Sequence, residues 1–320
     1  VDIVIMGEGE NIFIQLIQKI HHNGDYSSVP GISYLNHHGE FITNKQQDNL
    51  DHVDLNNYPP FPLKNAHYGA IEITRGCPYQ CYFCQTSFMM GTQPRHRSIK
   101  NICKYVKILA EPGYTDLRFI TPNALSYGSK NGKDVNYKEL KRLLLSIREI
   151  LGNEGKIFFG TFPSEVRPEH INQDTLNLIK EFTDNDNLII GAQSGSQNLL
   201  DKCNRGHKVE DIYNAVELTL NENLDVNLDF IFGLPDETEE DLIKTIDLIK
   251  SVTKKGARIH AHYFVPLPQT PFQYRSPKPI SKPLRDKIKN LNFEGKLYGS
   301  WKKHEKLAMK VSKYLRENRE

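Results

Sequence analysis

Apolar positions along the chain follow two alternating periods. Short apolar or alternating runs near 70–74, 117–121, 157–161, 188–193, 226–232 and 259–264 read as strands. Between them, segments near 98–110, 137–151, 172–182, 196–203, 208–222 and 238–254 carry apolar residues at helical spacing. Strand–helix alternation through six units predicts an α/β fold with a parallel sheet, and right-handed units place function at the strands' C-terminal ends. Upstream, Asp2 to Met6 reads as a short strand, and Gly7-Glu-Gly-Glu10 as the turn into a helix ending near His21. Ile12, Phe13, Leu16, Ile17 and Ile20 share one face of that helix. One strand and one helix have no second layer to bury against, so this unit is expected to be the end of a larger α/β domain, with an unpaired strand edge. His21 and His22 are expected at the surface.

Gly31 to Leu35 and Glu40 to Thr43 flank Asn36-His-His-Gly39, a hairpin pattern. The polar, Pro-rich stretch from Asp51 to Lys64 has the composition of an interdomain linker. From Ser281 to the end the chain is basic and helical in pattern, with Trp301, Ala308, Val311 and Leu315 as its buried stripe. That tail reads as a solvated helix packed on the fold, with an RNA-contacting patch as the lesser alternative.

Composition narrows the class. The 320 residues are 38% hydrophobic and 25% charged with a net charge of +2, ordinary values that announce neither nucleic acid nor membrane as partner. No apolar stretch reaches membrane-spanning length. The first residue is Val1, falling straight into a strand, which suggests a fragment of a longer chain. Five cysteines, three of them grouped, fit a reducing cytoplasm better than a disulfide framework.

Those three lie in Ile71-Glu-Ile-Thr-Arg-Gly-Cys-Pro-Tyr-Gln-Cys-Tyr-Phe-Cys84, spaced as Cys77-x3-Cys81-x2-Cys84. Pro78 breaks any helix, so the segment is a loop able to wrap its thiolates around something compact. Three thiolates suit a 4Fe–4S cluster with one iron left free of protein ligands, as a catalytic centre requires. Zinc is the alternative, with His96 or Cys103 as fourth ligand, although no second Cys-x2-Cys accompanies the first. Tyr82 and Phe83 would shield such a group on one side.

Strand followed by Cys-x3-Cys-x2-aromatic-Cys resembles the radical S-adenosylmethionine (SAM) superfamily across about residues 69–275. Three further motifs follow in the same order: Gln193-Ser-Gly-Ser196, Arg205-Gly-His207 and Phe232-Gly-Leu-Pro235. They are similar to those of tRNA methylthiotransferases and of cobalamin-dependent relatives. The resemblance implies a partial (β/α)6 TIM-like barrel whose open iron chelates the amino and carboxylate groups of SAM. Electron transfer from a reduced flavodoxin- or ferredoxin-type donor would then give a 5′-deoxyadenosyl radical that abstracts hydrogen from a substrate of unassigned identity. It also implies a site. Cys77, Cys81 and Cys84 would hold the cluster, with Phe83 beside it. Asn123, in Thr121-Pro-Asn123, would meet the methionine amino group, and Arg167 would meet a carboxylate, with Ser164 and Glu165 at the barrel mouth. Gln193 and Ser194 would bond ribose hydroxyls, with Gly195 giving the nucleoside close access to the backbone, and Ile231 and Gly233 would wall the adenine. Ordinary helix-start and capping roles compete for Ser164, Glu165 and Arg167, and Glu237-Thr238 mainly begin a helix. His207 is given no proton role. His260 and His262 share a strand face and could line the mouth.

Val4-Ile-Met-Gly-Glu-Gly-Glu10 resembles the end of a Rossmann-like cobalamin-binding domain. The expected organisation is therefore a remnant of that domain at 1–28, hairpin and linker at 29–68, radical SAM core at 69–275 and a helical extension at 276–320. On this reading the full-length protein, though not this fragment, retains cobalamin and acts as a methyltransferase. A tRNA methylthiotransferase is the alternative enzyme, opposed by the lack of cysteine in residues 1–76. A metal-stabilised binding module is the non-catalytic one.

Overall fold

A computed structural model describes residues 2–22, 24–45, 52–64, 69–114 and 116–319. The chain forms two compact units that divide between Pro59 and Pro60. Parts of the expected linker, 46–51 and 65–68, lie outside the described residues.

In the first unit, β1 (Ile3–Ile5) and α1 (Glu10–His21) are followed by the hairpin of β2 (Ile32–Leu35) and β3 (Phe41–Thr43). The first strand is not isolated, although it remains an edge strand with one side unpaired among the described residues. β1 runs antiparallel to β2, with Val4 opposite Ser33, in a three-stranded sheet ordered β1-β2-β3. Helix α1 buries only Ile12 and Leu16, which pack with Val29 and Ile32. Phe13, Ile17 and Ile20 of the same apolar face are exposed, as are His21 and His22.

The second unit begins with β4 (Ile71–Glu72) and β5 (Thr74–Arg75), then α2 (Thr86–Met90), β6 (Arg95–His96) and α3 (Ile99–Ala110). It continues with β7 (Asp116–Ile120), α4 (Tyr137–Leu151), β8 (Lys156–Phe158), α5 (Gln173–Phe182) and β9 (Asn187–Gln193). Next come α6 (Gln197–Lys202), α7 (Val209–Asn221), β10 (Asp225–Phe232), α8 (Glu239–Lys254) and β11 (Arg258–Tyr263). Parallel strands form two sheets, β4-β7-β8 and β9-β10-β11, the second extended beside β11 by a further short strand, β12 (Leu297–Tyr298). Backbone bonds from Ile189 N–H to Gly160 O (3.0 Å) and from Gly191 N–H to Val166 O (3.0 Å) join one sheet to the other. Caps set the helix starts: Ser98 accepts from Asn101 N–H before α3, Asn172 from Thr175 N–H before α5, and Thr238 from Asp241 N–H before α8.

The tail differs from the single basic helix expected. It folds as α9 (Lys282–Phe293), a short seventh parallel strand β12 (Leu297–Tyr298) beside β11, and α10 (Trp301–Glu317). Gly295 and Gly299, both at positive φ, bracket β12, and their turns interrupt the helical run. Trp301 and Ala308 are buried as the stripe predicts, Val311 and Leu315 only partly so, and Ser312 is buried in their place.

Alternation along β10 and β11 decides what faces inward. Val226, Leu228, Phe230 and Phe232, with Ile259, Ala261 and Tyr263, are buried in the main hydrophobic core with the helices' apolar stripes. Asn227, Asp229, Ile231, His260 and His262 point the other way and remain partly accessible. A parallel sheet would ordinarily be apolar on both faces, so this polar inner face marks the functional side.

Beyond β10, Glu237 does not merely begin the next helix. Its carboxylate folds back to accept Gly233 N–H at 2.8 Å, while the other oxygen is buried without a hydrogen bond. Burial pushes this carboxyl up to about 8 against the opposing pull of the Gly233 bond, with Asp241 adding to the rise. The native chain then keeps a proton that the unfolded chain releases between about pH 4.3 and 8. Stability from this site is complete below that window and is lost as pH rises through about 8, at ~1.4 kcal/mol per pH unit. Glu237→Gln should therefore gain on the parent chain as pH rises from 5.5 to 8.5, whatever constant offset the buried amide introduces. Melting curves across that range check it, and parallel Tm profiles would contradict it.

Candidate active site

The cysteine loop follows β5 and is fastened at several points. Cys77 N–H donates to Gly91 O (3.0 Å), and Ser87 Oγ donates to Cys77 O (2.6 Å) and accepts Gln80 N–H (3.1 Å). From across the fold, Asn204 Nδ2 donates to the carbonyls of Tyr79 (2.9 Å) and Gln80 (3.1 Å), and Tyr82 N–H donates to Cys203 O (3.0 Å). The Asn-Arg-Gly-His segment thus holds the loop in place. Tyr82 and Phe83 pack against Leu199, Cys203, Leu234, Phe264 and Phe272, a small apolar cluster that keeps water from one side of the thiols.

Cys77, Cys81 and Cys84 line a cavity of about 370 Å³, whose other walls include Phe83, Thr121, Ser164, Glu165, Arg205, Asp229, His260 and His262. The three thiols do not lie within 4.8 Å of one another, whereas a single zinc with ~2.3 Å bonds needs tetrahedral sulfurs about 3.8 Å apart. A cuboidal cluster spreads its corners more widely, so the donor set fits 4Fe–4S. The fourth ligands considered for zinc are also accounted for. His96 is engaged at both ring nitrogens, by Thr74 Oγ1 (2.9 Å) and Ser129 O (2.8 Å), and Cys103 packs against the main core from α3. Arg205 Nη1 lies 3.8 Å from Cys81 Sγ, which sets a buried guanidinium against the cysteine loop. Burial pushes the Cys77 thiol up, with Tyr79 N–H opposing and the neighbouring Cys81 and Cys84 adding to the rise.

The remaining sequence-derived residues divide by where they point. Ser164 and Phe83 line the cavity. Thr121 lines it too, but Asn123 turns away: its Nδ2 meets His170 Nδ1 at 2.7 Å and its Oδ1 accepts Arg167 N–H at 3.2 Å. Arg167 is buried behind the loop, with its guanidinium 3.5 Å over the Tyr79 ring and paired to Glu169. Ser194 is buried as well. Its hydroxyl meets Thr245 Oγ1 at 3.2 Å and accepts Ser196 N–H at 3.1 Å. Gly195 likewise packs on α8, since an added Cβ would stand 2.7 Å from Thr245 Cα and its N–H donates to Thr245 Oγ1. Ser196 Oγ donates to Asp241, so this motif is a strut between β9 and α8. Ile231 belongs to the apolar cluster behind Phe83. Gln193 adopts φ 67° and brings its amide beside Arg205 and Glu165: a Cβ on Gly191 would meet Arg205 Nη2 at 2.6 Å, Gln193 Nε2 at 2.8 Å and Glu165 Oε2 at 2.9 Å.

Arg205 lies in one quoted motif and Asp229 three residues before another, but neither carried an assigned role; only packing reveals that both line the cavity. Burial raises the Glu165 carboxyl while Arg205 opposes the rise. His207 is pulled down to about 2 by burial and by the Arg205 and Arg167 charges, so it stays neutral and moves no proton at working pH. No described helix is long and apolar enough to cross a membrane.

Residues 71–249 match the family described as the Radical SAM superfamily. A tRNA-2-methylthio-N(6)-dimethylallyladenosine synthase of Sulfurihydrogenibium sp. (strain YO3AOP1) is 29% identical over 79% of this chain and 60% of its own length. An uncharacterized methyltransferase of Pyrococcus horikoshii is 24% identical over 79% of this chain and 53% of its own. Among solved structures, the radical SAM methyltransferase TsrM of Kitasatospora setae, with cobalamin and a [4Fe–4S] cluster bound, aligns with a TM-score of 0.66 at 16% identity. That alignment covers 85% of this chain and 55% of TsrM. The cobalamin-dependent SAM radical enzyme OxsB aligns at 0.58 and 17% identity over 92% of this chain and 40% of its own. The chain spans about 40 to 60% of the length of the curated relatives it matches. Family match, TIM-like fold and a three-cysteine loop opening on a polar cavity agree: the chain belongs to the radical SAM superfamily, whose members use a 4Fe–4S cluster and SAM.

Proposed function

We propose that this chain is the SAM-cleaving portion of a cobalamin-dependent methyltransferase. The observation that carries the enzymatic reading is three thiols, not all within 4.8 Å of one another, lining a cavity that Arg205 and Glu165 also line. When bound, a cluster and SAM supply reductive cleavage of the sulfonium, with a flavodoxin- or ferredoxin-type protein as electron source. The chain's own residues set the conditions for it. Cys77, Cys81 and Cys84 hold the cluster, and Arg205 offsets thiolate charge. Phe83, backed by Ile231 and Phe272, keeps water out on one side. Gln193, beside Arg205 and Glu165, presents an amide to the ribose hydroxyls. Replacing Gln193 by Ala should weaken SAM binding by ~1–3 kcal/mol, read as a shift in Kd, and an unchanged Kd would remove Gln193 from the site.

Support for methyl transfer comes from the likeness to TsrM, a radical SAM methyltransferase with cobalamin bound, and the alignment with the cobalamin-dependent OxsB extends over 92% of this chain and so beyond the radical SAM unit. Residues 1–28 are the candidate end of a cobalamin-binding domain. Sequence identity to the methylthiotransferase favours a second reading, sulfur insertion into tRNA. Hydroxocobalamin binding separates the two. The longer gene product should retain it stoichiometrically after desalting, while this chain alone should not. If that product instead retains none, and unmodified tRNA stimulates 5′-deoxyadenosine formation, the second reading replaces the first.

A further inference from the structure

The second cluster of donors in the cavity contains no cysteine. Asp229 on β10 stands directly opposite His260 on β11, and His262 lies two residues further along the same face. Asp229 Oδ1 is 3.0 Å from His260 Nδ1, and His262 Nε2 is 3.1 Å from that same Nδ1 and 3.9 Å from Asp229 Oδ1. Among the described residues this is the one group of three such side chains whose donor atoms all fall within 4.8 Å. Both rings are held by stacking, His260 on Tyr298 (4.9 Å, 15°) and His262 on His304 (5.6 Å, 3°).

Hydrogen bonding alone serves this arrangement poorly. A ring nitrogen offers either one N–H or one lone pair, in a single in-plane direction. If His260 Nδ1 donates to Asp229, it cannot also accept from His262 Nε2. If it accepts from His262, it faces the carboxylate with no proton between them. A cation at the point where the three atoms converge satisfies all of them at once.

We propose that Asp229, His260 and His262 form a mononuclear site for a divalent first-row transition-metal ion, zinc or ferrous iron, in the same cavity as the cysteine loop. Two imidazole nitrogens and one carboxylate oxygen are a donor set for these ions, whereas magnesium and calcium prefer oxygen alone. With bonds of 2.0–2.2 Å, a tetrahedral ion places its donors about 3.3–3.5 Å apart, so the observed 3.0, 3.1 and 3.9 Å need only small side-chain adjustments. All three ligands come from one wall, which leaves the ion's remaining position facing the cavity. There it would hold an anionic or heteroatom group of the substrate and orient it toward the cysteine loop.

The test equilibrates the full, anaerobically cluster-reconstituted chain with zinc, desalts it, and counts zinc and iron together. Wild type should retain about one zinc per chain beyond the cluster iron. The His260→Ala/His262→Ala double variant should bind zinc at least tenfold more weakly, with its iron content unchanged. No retained zinc in wild type, or equal retention by the double variant, would overturn the assignment. X-ray absorption at the zinc edge needs no variant and guards against misfolding. A nitrogen/oxygen shell with imidazole scattering supports the site, and sulfur in the shell places the zinc at the cysteine loop and rejects it.

Discussion

Replacing Cys81 by alanine is expected to abolish the iron–sulfur cluster and, with it, all SAM cleavage. Cys81 is buried, fixed by its place in a loop fastened to Ser87 and Asn204, and faces the Arg205 guanidinium at 3.8 Å. No other described thiol can take its place. Cys103 sits on α3 against the main core, and Cys203 lies behind Phe83, where burial pushes its thiol up to about 12. Cys103→Ser and Cys203→Ala should therefore reconstitute a full cluster, at a cost of about 1–2 kcal/mol of stability for the second. Iron and sulfide counts on anaerobically reconstituted variants check both halves. Full iron content in Cys81→Ala would remove the loop from the metal site.

Two glycines four residues apart should separate stability from cofactor binding. In Gly195→Ala the new methyl meets backbone, 2.7 Å from Thr245 Cα and 2.9 Å from Lys244 O, so α8 must shift away from β9. A loss of ~2–3 kcal/mol is expected, seen as a lowered Tm. In Gly191→Ala the methyl meets only the far ends of Arg205, Gln193 and Glu165, which can swing aside. The fold should lose no more than ~1 kcal/mol, but the polar wall is displaced and SAM affinity should fall at least tenfold. Thermal melts and SAM binding measured on both variants decide the matter. The reverse pattern, with Gly195→Ala harming binding and Gly191→Ala only stability, would return the nucleoside to the Gln-Ser-Gly-Ser backbone.

The periodicity of the chain was informative about elements because each strand and helix is a local pattern. β10 and α8, for example, fall within a residue of the spans that alternation and the Thr238 cap imply. The cysteine loop was legible for a similar reason: its chemistry is written in an eight-residue spacing. The partners that pack against a motif were not. Thr245, some fifty residues downstream, bonds to Ser194 and Gly195, a contact that the Gln-Ser-Gly-Ser motif does not announce. Asn123 and Arg167 engage His170, Tyr79 and Glu169 rather than the cavity. The joining of Asp229 with His260 and His262 rests on strand register, which alternation within one strand does not fix. The pairing of β1 with β2 was hidden likewise, because a three-residue strand does not announce the direction of its partner.

On the proposed function, Cys77, Cys81 and Cys84 hold a cluster that acts on SAM in this cavity. The most direct measurement of this is 5′-deoxyadenosine formed by the anaerobically reconstituted full chain with dithionite and SAM, without any substrate. Slow release of 5′-deoxyadenosine and methionine, dependent on reductant and absent from Cys81→Ala, is the predicted result. No 5′-deoxyadenosine from wild-type protein, with the reduced 4Fe–4S cluster verified by electron paramagnetic resonance, would contradict it.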